Sequence, residues 1–356
     1  MESKLLKIRE IIANRGIGGV LIERQNNFSW LTGGRGFIGL ASEIACGSVL
    51  VTKDKAYLVA NNIEIQRLID EETASETVAQ DIVSLSFLWH EEGRRAEMIK
   101  QAAGGEVLTD TQLASEFFEM RTVLDVNEID FYAKFSVQAA NILENAVKNV
   151  KIGMSEFELA GKISQGLWNA GIEPITLLIA FDERAFKYRH FLPTANRLKN
   201  YAIASICARK GGLIVSATRS AYINGCVPDE ITQKYQQLSK VYAALVNNTK
   251  PGAKLSDLFE SIKLDYANCG YHGEENLHHQ GGLTGYVARE IRAMPGVDYI
   301  AQANQAYAWN PTITGTKIED TIVITESGVG FEILTHTGNY EYAETDGVKI
   351  PQILNL

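Results

Sequence analysis

The stretch His278-His279-Gln280-Gly281-Gly282-Leu283-Thr284-Gly285-Tyr286-Val287-Ala288-Arg289-Glu290 decides how this chain is read. Its glycines fit neither a phosphate loop nor a dinucleotide fingerprint, because the remainder of each motif is missing. Its histidines stand near His272, Glu274 and Glu275, a composition that resembles the ligand set of one metal ion. In an extended segment, however, neighbouring side chains point to opposite faces, so His278 and His279 are expected to form a cleft-edge pair rather than to share an ion.

Outward from this stretch, the pattern is one of paired helices followed by strands. From Glu128 to Val150 the apolar residues Ile129, Tyr132, Phe135, Ala139, Ile142 and Val147 approximate the helical period. Ser155-Glu156-Phe157-Glu158 is a capping box that opens a second helix ending near Gly171. Strand-like runs follow at Ile175 to Phe181, Ala202 to Ala208 and Gly212 to Ile223. Helices are expected again from Pro228 to Asn247 and from Ser256 to Cys269, with strands after Val297 and from Asp320 to Thr325. Helix, helix, strands, repeated once, is the signature of an internally duplicated domain. Ahead of it, a helix at Lys4 to Asn14, a strand at Gly19 to Glu23, a hairpin of Cys46 to Thr52 with Lys55 to Val59, and helices from about Asn61 and Arg94 give an α/β amino-terminal domain. The domains are placed at 1–122 and 123–356.

The 356 residues suffice for two domains that each bury a core, and a hydrophobic share of 46% fits a soluble globular protein. A formal charge of -9 argues against a nucleic-acid partner held on a basic surface. Lacking a signal peptide's apolar core and any membrane-length apolar run, the chain is expected to be cytoplasmic with no membrane partner. Cys46, Cys207, Cys226 and Cys269 are widely spaced and are read as reduced thiols.

The opening stretch resembles the pita-bread family of aminopeptidase P, prolidase, methionine aminopeptidase and creatinase. Its metal-dependent members carry His-x-x-Gly-His-x-x-Gly-x-x-x-His-Glu, and His278, Gly281, Gly285 and Glu290 fall in register. Further similarities are Asn27-Phe28-Ser29-Trp30-Leu31-Thr32-Gly33-Gly34 to the family's Tyr-Leu-Thr-Gly turn, Glu119-Met120-Arg121 with Asn127-Glu128-Ile129 to its domain join, Lys250-Pro251-Gly252, and Glu332-Ile333-Leu334-Thr335. The resemblance implies a creatinase-type α/β amino-terminal domain followed by an α+β pita-bread domain with internal pseudo-duplication. It also places the five metal ligands. The metal-binding His falls on Gly282, and the two aspartates, counted back from Thr218-Arg219, fall on Ser216 and Ser205. The Glu of a Glu-Pro step is matched by Asn310 before Pro311, and the Glu of Gly-x-Arg-Ile-Glu-Asp is retained as Glu319.

A pair of divalent ions requires several carboxylates to offset its repulsion, and one carboxylate with two serines, an asparagine and a glycine does not supply them. The expectation is therefore no metal and no other cofactor. Creatinase, which hydrolyses a C–N bond with side chains alone, is the metal-free comparison the resemblance offers. It implies His190, in Lys187-Tyr188-Arg189-His190-Phe191-Leu192-Pro193-Thr194, as general acid/base and Glu319 as the carboxylate that helps to hold substrate. The plain alternatives are a His190 that only bonds a backbone carbonyl at a strand start and a Glu319 that is a buried carboxylate paired with Lys317 or Arg219. Creatinase's second catalytic carboxylate is matched by Thr218, so the chain is not creatinase. Substrate-binding candidates are His278, Arg289, Tyr286, Arg219 and Asn310, with His279 and Gln280 also in the presumed cleft. Arg289 replaces a family His and suits bidentate binding of a carboxylate.

Three readings follow. The first is a metal-independent hydrolase or lyase of a small, anionic, amino-acid-like substrate. The second is a pseudo-peptidase that binds a ligand or protein partner without catalysis, as a histone chaperone subunit with a pita-bread domain does. The third is an Xaa-Pro aminopeptidase or dipeptidase with its metals, against which the ligand positions argue. The family also implies a homodimer whose small domain closes over the partner's cleft, with Trp30, Arg35 and Phe37 as the contributing candidates.

Overall fold

The computed structural model describes residues 2–73, 82–328 and 330–356, and the chain divides into two compact units, Met1–Arg121 and Thr122–Leu356. In the first, α1 (Glu2–Arg15), β1 (Gly19–Arg24) and α2 (Gln25–Thr32) lead to a hairpin of β2 (Ile44–Thr52) and β3 (Ala56–Asn61). After the short α3 (Ile65–Arg67) come β4 (Ile82–Phe87), α4 (Glu92–Ala103), β5 (Val107–Thr109) and α5 (Ala114–Thr122). The strands form one mixed sheet in the order β4-β3-β2-β1-β5. Leu21, Leu50, Val59, Phe87 and Ile99 bury its apolar face.

This unit corrects the sequence reading at two places. The segment read as a turn at Asn27 to Gly34 is mostly the helix α2, ended by Gly33 in the left-handed conformation that glycine adopts without strain. Trp30, offered to a partner's cleft, is buried at 1% exposure. It meets Phe117 edge-on at 6.0 Å. Arg35 is likewise engaged, its Nε donating to the buried Glu72 at 2.9 Å.

The second unit is built twice from the same plan. α6 (Val126–Lys148) and α7 (Glu156–Asn169) precede β6 (Glu173–Phe181), the single turn α8 (Glu183–Lys187), β7 (Tyr201–Lys210) and β8 (Leu213–Tyr222). α9 (Asp229–Asn248) and α10 (Leu255–Asn268) precede β9 (Gly281–Thr284), β10 (Ile291–Arg292), β11 (Ala306–Trp309), the hairpin β12 (Thr312–Ile313) with β13 (Thr316–Lys317), then β14 (Asp320–Ile324) and β15 (Phe331–Ile333). β6, β7 and β8 pair antiparallel. The other sheet runs β10-β9-β11-β14-β15.

Local chemistry explains why the helices begin where they do. Ser155 accepts from Glu158 N while Glu158 caps Ser155 N, and Asp125 with Glu128 repeats the device at the start of α6. Tyr132, Phe135, Ala139, Leu143 and Val147 are the buried stripe of α6, which packs against α7 and β8. The two halves are stitched where β8 meets β14: Thr218 N donates to Glu319 O at 2.9 Å, and Ser216 N donates to Thr321 Oγ1 at 2.9 Å. This is the pita-bread architecture that the resemblance implies. Among the described residues no helix is long and apolar enough to cross a membrane.

Candidate active site

Residues from both halves of the second unit line a cavity of about 370 Å3. Side chains two apart on a strand share a face, which brings Thr176 and Leu178 of β6, and Ser205 and Cys207 of β7, to its wall. The other half contributes Arg289, Arg292, Asn310, Lys317 and Glu319, and the loops contribute His190 and His279.

Glu319 is the hub of the cavity floor, at 3% exposure. Its Oε2 receives the Lys317 ammonium at 2.8 Å and the Thr218 hydroxyl at 2.8 Å, and its Oε1 receives the Arg289 guanidinium at 3.1 Å. The same two cations reach the serines. Lys317 Nζ donates to Ser205 Oγ at 3.3 Å, and Arg289 donates to Ser216 Oγ at 3.5 Å. Because Thr218 spends its proton on Glu319, Ser205 is the donor in the 2.6 Å contact between the two hydroxyls. Each cation thus bridges Glu319 and one serine. Burial alone would raise the carboxyl pKa, but Lys317 and Arg289 outweigh it and hold Glu319 below the ordinary carboxylate value.

Facing this floor are three imidazoles. His190 lies in the loop after α8, and its Nε2 is 3.1 Å from His278 Nε2. His278 and His279 stack, with ring centroids 4.5 Å apart and planes 25° from parallel. The expectation that they point to opposite faces is therefore wrong, because His278 sits in a bend between the single turn Glu274–Asn276 and β9 and the alternation of a strand does not apply. Burial, with Lys317 next in effect, lowers the pKa of His278 to about 2. Burial and Arg289 lower that of His279 to about 4. His190 moves in the same direction for the same reasons, burial first and Lys317 second. His278 and His279 are neutral at pH 7, and His190 is shifted toward its neutral form.

Two carboxylates, the buried Glu156 and the half-buried Glu274, fix the loop that carries His190. Glu156, at the first turn of α7, accepts from Phe181 N at 2.9 Å and from both the amide and hydroxyl of Thr194 at 2.8 Å. It also pairs with Arg184. Arg189 donates to Glu274 at 2.7 Å and to Thr314 Oγ1 at 2.8 Å, tying the His190 loop to the turn that leads into His278.

Four predicted cleft residues, Arg219, Tyr286, His278 and Gln280, do not line the cavity. Arg219 is fully buried in the core, where its Nε meets Glu144 at 3.1 Å and another nitrogen meets Asp320 at 2.9 Å. It pairs with neither Glu319 nor the cavity. Tyr286 is buried, its hydroxyl donating to Glu128 at 2.7 Å, and it does not line the cavity. Arg289, Asn310, His190 and Glu319 do line it. Gln280 is buried under Tyr266, whose hydroxyl donates to its Oε1 at 2.9 Å. Sequence reasoning treated Lys317 only as an alternative partner of Glu319 and gave Cys207 and Arg292 no place in the site. A signal existed for Lys317, which stands two residues before Glu319, the spacing that places side chains on one face.

Gly282 has φ +152° and Gly281 φ +114°, conformations that favour glycine. A Cβ on Gly282 would lie 2.1 Å from Ile291 O, and one on Gly281 would lie 2.1 Å from Ala308 O. Position 282 therefore has no room for any side chain.

Residues 132–326 match the model of metallopeptidase family M24. The chain is 24% identical to an Xaa-Pro dipeptidase of Pyrococcus horikoshii, over 92% of this chain and 96% of that protein. It is also 24% identical to the uncharacterized peptidase YqhT of Bacillus subtilis, over 91% and 96% respectively. The crystal structure of the prolidase from Pyrococcus horikoshii superposes with a TM-score of 0.74 at 21% identity, covering 94% of this chain and 98% of that one.

Proposed function

The chain belongs to metallopeptidase family M24, and from that footing we propose that it is a hydrolase that works without the family's pair of metal ions, in the manner of creatinase, on a small anionic amino-acid-like substrate. The observation that carries this reading is Glu319 held between Lys317 and Arg289. Of the positions that the resemblance gives to metal ligands, 205 and 216 are serines already engaged by those cations. Position 282 is closed to any side chain. Asn310 offers a neutral amide. The donor set does not fit two bridged divalent ions, which require several carboxylates.

In this reading His190 is the general acid/base. It is shifted toward its neutral form and faces the cavity, whereas both oxygens of Glu319 are occupied by donors and its carboxyl is held ionised by its cations. His190 takes a proton from a water that attacks the scissile carbon. A C–O bond forms, the C–N bond breaks, and the proton passes to the departing nitrogen. Lys317, Arg289 and Arg292 set against Glu319 leave the cavity with an excess of positive charge, which suits a substrate carboxylate. Glu319 orients Arg289 for that contact.

The test is turnover of a panel of N-methyl, amidino and proline-containing acids by the full chain after exhaustive chelation. Activity that survives chelation and disappears in a folded His190→Ala variant is the expected result. Two tightly held manganese, cobalt or zinc ions per chain, with activity restored only by them, overturns the reading. A panel member that stabilises the protein and is never cleaved makes it a binding protein instead.

A further inference from the structure

We propose that His190, His278 and His279 form a site for a single borderline transition-metal ion of the zinc or copper class, distinct from the family's two-metal centre. Each of the three offers a ring nitrogen, and these nitrogens all lie within 4.8 Å of one another. Tetrahedral zinc with Zn–N bonds of about 2.0–2.1 Å sets its ligand nitrogens about 3.3 Å apart. The His190–His278 pair, at 3.1 Å, is already near that spacing. The third nitrogen has no more than about 1.5 Å to close.

The surroundings favour this use of the rings. The Nδ1 atoms of His278 and His279 are buried and have no hydrogen-bond partner among the described residues. Rotating either ring to present a lone pair to an ion therefore breaks no bond at that atom. Burial keeps His278 and His279 unprotonated at neutral pH, the form that binds metal, and the His190 pKa moves in the same direction. Three histidines leave the fourth tetrahedral position open to water or a ligand from the cavity.

The charges nearby decide which ions fit. Lys317, Arg289 and Arg292 line the same cavity and only Glu319 offsets them. Magnesium, calcium and manganese bind chiefly by charge to oxygen ligands and are repelled here. Zinc and copper feel the same repulsion, but donation from three imidazoles, their preferred ligands, offsets it.

The consequence for turnover rests on the reading given under Proposed function. A neutral imidazole has one nitrogen lone pair, and an ion that takes it from His190 removes the base. Zinc should then inhibit this chain, opposite in sign to the metal dependence of a two-metal peptidase.

The experiment is calorimetric titration of tag-free, chelator-stripped full chain with zinc, alongside the visible spectrum of the cobalt form. One ion per chain is expected, with the intense bands of four-coordinate cobalt and no binding of magnesium or manganese. His279→Ala and His279→Gln should each weaken zinc binding by at least roughly 100-fold, the upper end of what losing even an outer-shell partner costs. Absence of zinc binding, two ions per chain, or undiminished affinity in both folded variants overturns the proposal. Stoichiometric binding without zinc inhibition of a measured turnover leaves the site standing and removes His190 as the base. Inhibition absent together with binding absent removes the site alone.

Discussion

The Lys317 ammonium lies 2.8 Å from Glu319 Oε2, both groups at 3% side-chain exposure. A cation and an anion in such a place are held by each other, and removing one strands the other. Breaking a buried pair from one side costs about 3–5 kcal/mol. Arg289 remains on the other carboxylate oxygen, so the lower end is expected for Lys317→Met. Equilibrium urea denaturation at pH 7 measures it, and a loss under about 1 kcal/mol would show that the pair does not hold the floor together.

Gly282 gives a second, sharper test of the closed ligand position. Gly282→Ala combines a backbone conformation unfavourable to alanine with a Cβ 2.1 Å from a carbonyl oxygen. Strain and overpacking are each worth about 1–3 kcal/mol, so a loss of at least about 2 kcal/mol is expected. A variant as stable as the parent would mean that the β9–β10 strand pairing yields easily and that position 282 is open after all.

The proposed base titrates at a stated side of neutrality. Burial and Lys317 hold the His190 pKa below 6.5, and a general base acts when unprotonated. The rate constant kcat/KM should therefore rise with pH through a midpoint below 6.5 and stay level above it. A midpoint above about 7 would assign the limb to another group.

Acid should unfold this unit earlier than its carboxylates alone would require. His278 and His279 have folded-state pKa values of about 2 and about 4, against 6.5 when unfolded. The unfolded chain binds more protons in that interval, so their contribution is complete above pH 6.5 and is lost as pH falls. His279 accounts for roughly 3 kcal/mol between pH 6.5 and 4. Urea midpoints at pH 7 and pH 5 report the first part of it, roughly 2 kcal/mol, before Glu319, whose pKa lies below 4.5, begins to protonate. Equal midpoints would show that the histidines are hydrated in the folded state.

What the sequence discloses here depends on the range of the interaction. The capping box at Ser155 and the apolar stripe of α6 are local; the box is present where the pattern places it, and the stripe keeps Tyr132, Phe135, Ala139 and Val147 but buries Leu143 rather than Ile142. The helix α2 escapes because nearly every residue in it is buried, including Gln25, Asn27 and Ser29, so it shows no polar face to reveal its period. Gln25, Ser29 and Thr32 are satisfied by neighbours within ten residues, and Asn27 by a distant partner, donating to Asp110 at 2.9 Å. The site follows the same rule. A resemblance could point to residues 205 and 319, but only the fold brings Lys317 to Ser205 across 112 positions. Arg219 was misplaced because a cation beside a family motif reads as a cleft residue, and nothing local announces Glu144 and Asp320 as its partners. The stacked histidines were misjudged because a rule for strands was applied to a bend.

The two cations on Glu319 are carried by the chain itself. A charge attached to the backbone is delivered in fixed stoichiometry when the protein is made, and it cannot be leached, exchanged or loaded with the wrong element. Its cost is charge density, since an ammonium or guanidinium brings one positive charge where a divalent ion brings two and cannot open a coordination position for water. On the proposed reading, a cleft furnished in this way needs no metal ion to act, and its turnover can begin as soon as the chain has folded.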